Sequence, residues 1–372
     1  MHDRAATTPT RAIAIALLLV MLMTACGSSD ADGDAADTGS DETAEATDAA
    51  DASGPDDAAA GTEECETGIE TRFAHHLGDT VIGHEAFVAM GEEIEAETDG
   101  RITMEVFPAG QLGGIAEWAG LLRDGVIEFA WTDASTLGAV VPDVAAPNLP
   151  FLFENEEEFH QIMDGPIGED INALIREEAG IEILGWSSVG ALIPFFGGVE
   201  AATTPEDLQG LAIRVPEAPV SVEAWRLLGA EPVAMPLGDA YTALQTGAIN
   251  AYWLPYWATR ATSMYEVSDA MSELPVAYAN LAIAVDPNFL SGLCEADQAA
   301  IRTAASNAEA ANREGWPAAD VSDREYLIEQ GIESVEVEDV DAFRQLVLPQ
   351  WEAFEANATT DLFTRMRAEL GR

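Results

Sequence analysis

The fold is decided by residues 211–257, which read LAIRVPEAPVSVEAWRLLGAEPVAMPLGDAYTALQTGAINAYWLPYW. Two short apolar segments with the character of strands, LAIRVP and AEPVAMP, alternate here with helix-like segments, the second of which ends at Gly247. One arginine, Arg214, interrupts the apolar pattern of the first strand. Repeated alternation of this kind predicts an α/β architecture built on an open, mostly parallel sheet.

The same alternation continues on both sides of this stretch. Upstream, the segments IETRFAHHL, HEAFVAMGEEIEAETDG and RITMEVFPAG form a strand, helix and strand pattern, and VIEFAWTD and GIEILGWSS add two more apolar strands. Beyond Pro287 the chain becomes helical. The region from Cys65 to Arg372 is larger than one hydrophobic core usually supports, so we expect two α/β lobes.

The charge composition excludes one class of partner. The chain has 67 acidic and 16 basic residues, a formal net charge of −51, and every basic residue is arginine. A field of this sign repels polyanions, so we expect no nucleic-acid partner. Two explanations of the acid excess stay open: a surface adapted to high salt, or simply a soluble extracellular protein.

The N-terminus is typical of an export signal. Arg4 and Arg11 precede an apolar run over residues 12–23, which is too short to span a bilayer. The run ends in LMTAC, which resembles a bacterial lipoprotein signal with Cys26 as the lipidated residue. We therefore expect a lipoprotein signal peptide at 1–25 and an exported protein whose lipid anchor, its only membrane contact, holds it at the outer face of the cytoplasmic membrane. The alternative is an ordinary signal peptide in which Cys26 is incidental.

Residues 26–64 predict a disordered tether. They are rich in Asp, Ala, Gly and Thr and lack large apolar side chains, so they cannot bury enough surface to fold. Two cysteines follow, Cys65 and Cys294. Because two cysteines are left besides Cys26 in a chain that we expect to be exported, one disulfide between them is possible. Two free thiols are the alternative.

Motifs of catalysis and of metal binding are missing from the sequence. It contains neither HExxH nor GxGxxG, and GWSSVG at 185–190 fails the nucleophile-elbow pattern because Val189 stands where the second glycine is required. The histidines lack the spacing of metal ligands. We expect no enzyme, no metal site and no cofactor; a hydrolase that uses Ser187 or Ser188 is the rival, and it lacks a positioned base.

Several segments carry a family resemblance: FAHHLG, FPAGQLGG, LRDGVIEFAWTDASTLGAVVPDVAAPNLPFLF, DGPIGEDI and the whole of residues 205–257. Together they resemble the solute-binding proteins of tripartite ATP-independent periplasmic (TRAP) transporters, of the dicarboxylate-binding (DctP) type. The resemblance implies a two-lobed, periplasmic-binding-protein-like (type II) α/β fold with hinge strands and a long bracing helix. We assign 65–190 with 281–318 to the first lobe, and 191–280 with 319–372 to the second.

The resemblance also gives Arg214 a role, because the arginine of the RVP strand binds the ligand's carboxylate in this family. A guanidinium presents parallel donors that fit a carboxylate at two points, and a cleft that closes over the pair excludes water. The alternative is a structural ion pair of Arg214 with Glu217 or Asp239. The implied partners are a small organic carboxylate and the TRAP membrane permease.

Departures from the family pattern suggest which ligand is bound. Leu254 stands where many members have a carboxylate-binding asparagine, and VGALIPFFGG lacks a second arginine, so we expect one carboxylate. Large apolar side chains at predicted strand ends favour an apolar or aromatic ligand body. The alternative is that each of these side chains is an ordinary core residue. The predicted ligand-binding residues are Arg214, Trp131, Trp186, Phe195, Pro216, Asp239, Trp253, Leu254, Trp257 and His76.

Two further alternatives stay open at this point. Aromatic faces also enclose cations, so a zwitterionic compatible solute is a second ligand class. The same domain would also suit a sensor that reports a ligand to a membrane kinase, and neighbouring genes would distinguish a permease from a kinase.

Overall fold

The computed structural model of the chain describes residues 64–372. The predicted signal peptide, Cys26 and all but the last residue of the predicted tether lie outside the described residues. Within residues 64–372, no helix combines the length and the apolar character that crossing a membrane requires.

The described residues form one connected sheet of ten strands with helices packed against it. The strands are Ile69–Ala74 (β1), Ile102–Phe107 (β2), Phe129–Asp133 (β3), Glu182–Phe196 (β4), Ala212–Val215 (β5), Glu231–Ala234 (β6), Ala251–Leu254 (β7), Ala270–Glu273 (β8), Ala277–Val285 (β9) and Glu333–Glu336 (β10). The helices are Ile82–Glu97 (α1), Ile115–Arg123 (α2), Ala134–Leu137 (α3), Glu156–Met163 (α4), Pro166–Leu174 (α5), Pro219–Leu227 (α6), Leu237–Gln245 (α7), Tyr256–Ala261 (α8), Pro287–Gly292 (α9), Glu295–Glu329 (α10), Val340–Asn357 (α11) and Leu362–Leu370 (α12).

The sheet has two parts, and each is parallel in its outer strands. Its order is β2-β1-β3-β9-β4-β7-β5-β6, with β8 beside β4 and β10 beside β8. Pairing is parallel between β1 and its two neighbours, between β5 and its two neighbours, and between β8 and β10. The strands β4 and β9 pair antiparallel with their neighbours and join the two parts. The two-lobed α/β fold expected from the sequence is confirmed.

The long strand β4 belongs to both lobes. Residues 182–192 pair with β9 in the first lobe, whereas residues 193–196 pair with β7 and β8 in the second. The β4–β9 pairing is irregular between Ser188 and Ala191, and Gly190 adopts a φ of +106°. An irregularity of this kind bends a strand and increases its twist, and here it lies where β4 leaves one lobe for the other.

Helix α10 is the long bracing helix. It runs for 35 residues and packs on α1 and β4 of the first lobe and on α8 of the second. It continues through Pro317, although proline removes one hydrogen bond from a helix interior.

The predicted lobe boundaries stay a prediction. One observation disagrees with the assignment of the C-terminal residues. Helix α12 packs on α4 and α5 of the first lobe, whereas the sequence assigned residues 319–372 to the second.

A disulfide joins Cys65, close to the start of the described residues, to Cys294, which caps α10. The bond links residues 229 positions apart, so it removes much of the freedom of the unfolded chain. It therefore fixes the start of the folded region to the first turn of the bracing helix.

Replacement of both cysteines by serine is expected to lower the free energy of unfolding by about 2–4 kcal/mol. Urea unfolding of the double variant and of the wild type, each with and without reductant, measures the effect. Reductant should weaken the wild type to the level of the variant and leave the variant unchanged. A wild type that is insensitive to reductant and equal to the variant would contradict the prediction.

Candidate functional site

Arg214 is a buried arginine in the centre of the second lobe. Its strand β5 lies between β6 and β7, where Arg214 is in register with Val233 and Tyr252. The flanking residues Ile213 and Val215 point to the opposite face and are fully buried there. Arg214 is 6% exposed, and its Nε donates a hydrogen bond to the carbonyl oxygen of Met235 at 3.1 Å. The backbone therefore fixes the direction of the guanidinium.

Arg214 differs from the other described arginines in having no acidic partner. Every other arginine in residues 64–372 has a carboxylate oxygen within 4.0 Å. Neither Glu217 nor Asp239 approaches Arg214 that closely, and both side chains are exposed. The terminal nitrogens of Arg214 form no hydrogen bond within the described chain, yet neither is sealed from solvent. The guanidinium is thus free to bind an anion from solution.

The burial of Arg214 has an electrostatic cost. Burial lowers the pKa of the guanidinium to about 10, and the negative charge of Glu217 opposes this shift. The side chain still carries its charge at neutral pH. A bound carboxylate would stabilise that charge and replace the water lost on burial.

His76 faces Arg214 from the first lobe. The residue follows β1, and its ring stacks on Trp131 with 6.0 Å between ring centroids. Burial is the main cause that lowers the pKa of His76 to about 4, and the charge of Arg214 lowers it as well. Asp133, at the end of β3, acts in the opposite direction. The pKa of His76 therefore responds to a charge of each lobe, Asp133 of the first and Arg214 of the second.

Three predicted residues lie on the face of the second lobe that carries Arg214, and they are packed. Because Arg214 and Tyr252 are in register, Tyr252 and Leu254 share that face. Phe195 stacks on Tyr252 with 5.1 Å between ring centroids. Trp257 follows in α8, and its Nε1 donates to the carbonyl oxygen of Val189. All of these side chains are at most 7% exposed, so they form a wall more than an open pocket.

Two predicted tryptophans are not brought to Arg214. Trp253 lies between Tyr252 and Leu254 on the opposite face, where its ring packs edge-on against Trp225 at 5.6 Å. Trp186 packs in the core of the first lobe, and its Nε1 donates to Asn172 at 2.8 Å. Pro216 directly follows β5, and Asp239 lies exposed in the first turn of α7.

Two residues near Arg214 and His76 were not predicted from the sequence. Met235 offers its carbonyl oxygen to Arg214, and Asp133 faces His76. Each comes at the carboxyl end of a strand, at the edge where open α/β sheets bind ligands. Both strands were recognised in the sequence, so strand-end position was the available signal.

A cavity of about 440 Å³ opens between the lobes beside this wall. It is lined by residues 80–82 at the start of α1, by α8 and by the second half of α10. Trp257 is the predicted ligand-binding residue among them, whereas Arg214 and His76 do not line it. Trp316 of α10 separates Trp257 from Trp131, with ring centroids 5.0 and 6.4 Å away respectively. An aromatic contact therefore runs from one lobe to the other through the bracing helix.

Comparison with known proteins identifies this arrangement. Residues 73–357 match the family model of the bacterial extracellular solute-binding proteins, family 7 (DctP). The chain belongs to this family. Solved structures of TRAP periplasmic solute-binding proteins have the same two-lobed fold, so the resemblance read from the sequence motifs is confirmed.

Three similar proteins illustrate the DctP relationship. The TRAP protein of Sulfitobacter sp. NAS-14.1, solved with bound β-D-galacturonate, is 26% identical, with 80% of this chain and 99% of that chain covered and a TM-score of 0.77. The TRAP protein of Roseobacter denitrificans OCh 114, solved with bound L-galactonate, is 27% identical, with 82% and 99% covered and a TM-score of 0.75. The 2,3-diketo-L-gulonate-binding periplasmic protein of Escherichia coli K12 is 27% identical over 64% of this chain and 72% of its own length.

Proposed function

We propose that this DctP protein captures a small organic acid with one carboxylate and delivers it to a TRAP membrane permease. Arg214 binds the carboxylate between the lobes. The observation that carries the proposal is that Arg214 is buried and lacks the acidic partner found at every other described arginine. The protein acts by binding and release, and we expect no chemical turnover of the ligand.

The binding energy comes from the buried position of the guanidinium. A hydrogen-bonded pair of charged groups contributes about 1.5–3 kcal/mol. Two parallel hydrogen bonds from one guanidinium also fix the orientation of the ligand. The lobes then close because contacts to both of them form only in the closed state.

One carboxylate suffices because Arg214 has no second arginine beside it. The crossing strand β4 contains no arginine in its second-lobe part, residues 193–196. The remaining described arginines are already paired with acidic side chains. A dicarboxylate would therefore leave its second charge without a partner, in a protein of net charge −51.

The ligand body is better matched by hydroxyl groups than by the predicted apolar ring. Trp186 and Trp253 lie elsewhere, Phe195 is stacked on Tyr252, and Trp257 is packed on Trp316. In the first lobe, Nδ1 of His76, whose charge state responds to Arg214, is buried without a hydrogen-bond partner among the described residues. A wholly apolar body would leave it unpaired.

The ligands of the similar proteins support the same class, because galacturonate and galactonate each carry one carboxylate and several hydroxyls. We therefore propose a sugar acid in place of the apolar monocarboxylate expected from the sequence. An apolar monocarboxylate is the second candidate only as an outcome of the test below, because Leu254 and Trp257, on the lobe that carries Arg214, are core side chains at most 7% exposed.

A panel of ligands tests the proposal by thermal unfolding. The panel contains D-galacturonate, L-galactonate, phenylacetate, succinate and glycine betaine. A ligand at about a thousand times its Kd stabilises the folded protein by about 4 kcal/mol, so the true class is recognised by a clear rise in Tm.

We expect a sugar acid to raise Tm and succinate to have no effect. Stabilisation by phenylacetate alone would favour the second candidate, and by glycine betaine alone a zwitterionic ligand. Stabilisation by succinate alone would contradict the single-carboxylate proposal. Mass spectrometry of the small molecules released from the purified protein identifies the ligand directly.

A further inference from the structure

Helix α10 changes its ionic partners along its length. Its charged residues up to Arg313 pair with the first lobe, and those from Asp323 onwards pair with the second. The pairs are Asp297 with Arg101, Arg302 with Glu182 and Arg313 with Asp164, and then Asp323 with Arg260 and Arg324 with Glu273. Residues 314–322 lie between the two groups and contain Pro317. A movement of the lobes relative to each other therefore has to be accommodated in this segment.

Asp320 lies in this segment, and its acidic side chain lies against β4, the strand that crosses between the lobes. Its side chain is partly buried, and its Oδ1 is sealed from solvent without a hydrogen-bond partner. The same oxygen lies against Gly190, where an added Cβ would be 3.0 Å from it. Gly190 is at the irregularity of β4 between the lobes. Asp320 is thus packed against the point at which the chain crosses from one lobe to the other.

The groups around Asp320 leave it without a positive partner. They are Glu156 from α4, Tyr256 from α8, Glu273 from β8, Tyr278 from β9 and Asp323 from α10, while β4 contributes the uncharged Gly190. The nearby arginines are already engaged, Arg324 by Glu273 and Arg260 by Asp323. Burial is the main cause that raises the pKa of Asp320 to about 7, and the facing carboxylates act in the same direction.

Glu156 brings the first lobe into this group. Its Oε1 accepts hydrogen bonds from the backbone N–H of Gly190 at 2.8 Å and from Oγ of Ser188 at 3.4 Å. Burial raises the pKa of Glu156, and those two hydrogen bonds oppose the shift. The charge of Asp320 therefore interacts with a carboxylate of the first lobe, Glu156, and with a carboxylate of the second lobe, Glu273.

We propose that Asp320 is a proton-dependent latch of the hinge, whose protonated form stabilises the closed lobes and whose ionised form favours opening. Separation of the lobes moves Glu156 away from Glu273 and admits water to Asp320, and both changes stabilise the ionised carboxylate. The latch rests on the lobe closure that the proposed function requires, but not on the identity of the ligand.

The sign of the pH effect follows from linkage. In the lobe arrangement of this structure, which the latch takes as the closed one, Asp320 holds a proton up to about pH 7, whereas an exposed aspartate releases it near its ordinary value of 3.8. Closure is therefore favoured at low pH, and the advantage is lost as the pH rises to about 7. Each unit of difference between the pKa values of the two states changes the ratio of closed to open protein tenfold.

Small-angle X-ray scattering of the ligand-free protein tests the latch. For the wild type we expect the ratio of closed to open protein to fall by about tenfold or more between pH 5 and pH 8, seen as an increase in the radius of gyration. Asp320→Asn mimics the protonated side chain, so it should stay compact at pH 8 and respond little to pH. Glu325→Gln, at an exposed position of the same helix, should behave like the wild type.

Identical scattering of the wild type at both pH values would overturn the latch. An Asp320→Asn protein that expands with rising pH as the wild type does would also overturn the latch. If the asparagine variant does not fold, Asp320→Ser is compared with the wild type in the same way. A protein that passes this test but binds no member of the ligand panel would refute the proposed ligand and leave the latch in place.

Discussion

Replacement of Arg214 by lysine is expected to weaken ligand binding by about a hundredfold or more. Lysine keeps the positive charge, but it cannot offer two parallel donors to one carboxylate. It would also lose the hydrogen bond by which Nε of Arg214 is held on the carbonyl oxygen of Met235. Loss of one charged hydrogen bond together with this alignment corresponds to roughly 3 kcal/mol. Titration calorimetry with D-galacturonate, or with the acid that co-purifies, measures the change.

Arg226→Lys is the matched control for this experiment. Arg226 lies on α6, in the same lobe, but it is exposed and paired with Glu223 at 2.6 Å. Its replacement should leave the affinity unchanged. An Arg214→Lys protein that binds as tightly as the control would show that the carboxylate is held elsewhere.

The second large effect concerns the stability of the protein at alkaline pH. Glu309 of α10 is 4% exposed and hydrogen-bonded to Oγ of Ser187 in β4. Burial raises its pKa from 4.5 to about 8, and the positive charge of Arg313 opposes the shift. The folded protein therefore keeps a proton on Glu309 that the unfolded chain has already released.

The direction of the pH dependence follows from that difference. Because the pKa of the folded state is the higher one, wild-type stability is lost as the pH rises from about 4.5 to about 8. Glu309→Gln carries no charge at any pH, so it should equal the wild type near pH 4 and exceed it above pH 8. The gain is at most about 5 kcal/mol, from a shift of 4.5 to about 8 at 1.36 kcal/mol per unit.

Urea unfolding at pH 5, 7 and 9 measures this effect. Glu314→Gln, an exposed position on the same helix, is the control and should follow the wild type at every pH. Parallel curves for Glu309→Gln and the wild type across this range would mean that Glu309 is ionised in the folded protein.

The position of Arg214 could be predicted because one strand carried both an apolar pattern and a charge. The alternation of the strand placed Ile213 and Val215 in the core, which left Arg214 on the other face. The absence of a carboxylate beside it could not be predicted, because the sequence left Glu217 and Asp239 as possible partners and only the folded chain shows that both are exposed to solvent.

The aromatic residues show where prediction from the sequence ends. Trp253 stands next to Leu254, and in a strand neighbouring side chains point to opposite faces. Which face carries the ligand depends on the register of β7 against β5, where Tyr252 and not Trp253 is aligned with Arg214. That register depends on pairing between distant segments and not on local pattern, so the sequence had no means of assigning Trp253 to the face away from Arg214.

Helix α10 shows tertiary contacts overriding a local signal. Pro317 interrupts the helical pattern and, taken locally, favours a helix end. The structure continues the helix, and core side chains of α10 are buried on both sides of the proline, Trp316 before it and Leu327 after it. The family resemblance, and not the periodicity, led us to expect a long bracing helix.

The proposed binding mode is tested most directly by a crystal structure of the protein with the acid that mass spectrometry identifies in the purified sample. We expect one carboxylate between the lobes, with both of its oxygens within hydrogen-bond distance of the terminal nitrogens of Arg214, and hydroxyl groups directed towards His76. A ligand whose carboxylate binds another residue, with Arg214 still unpaired, would contradict it.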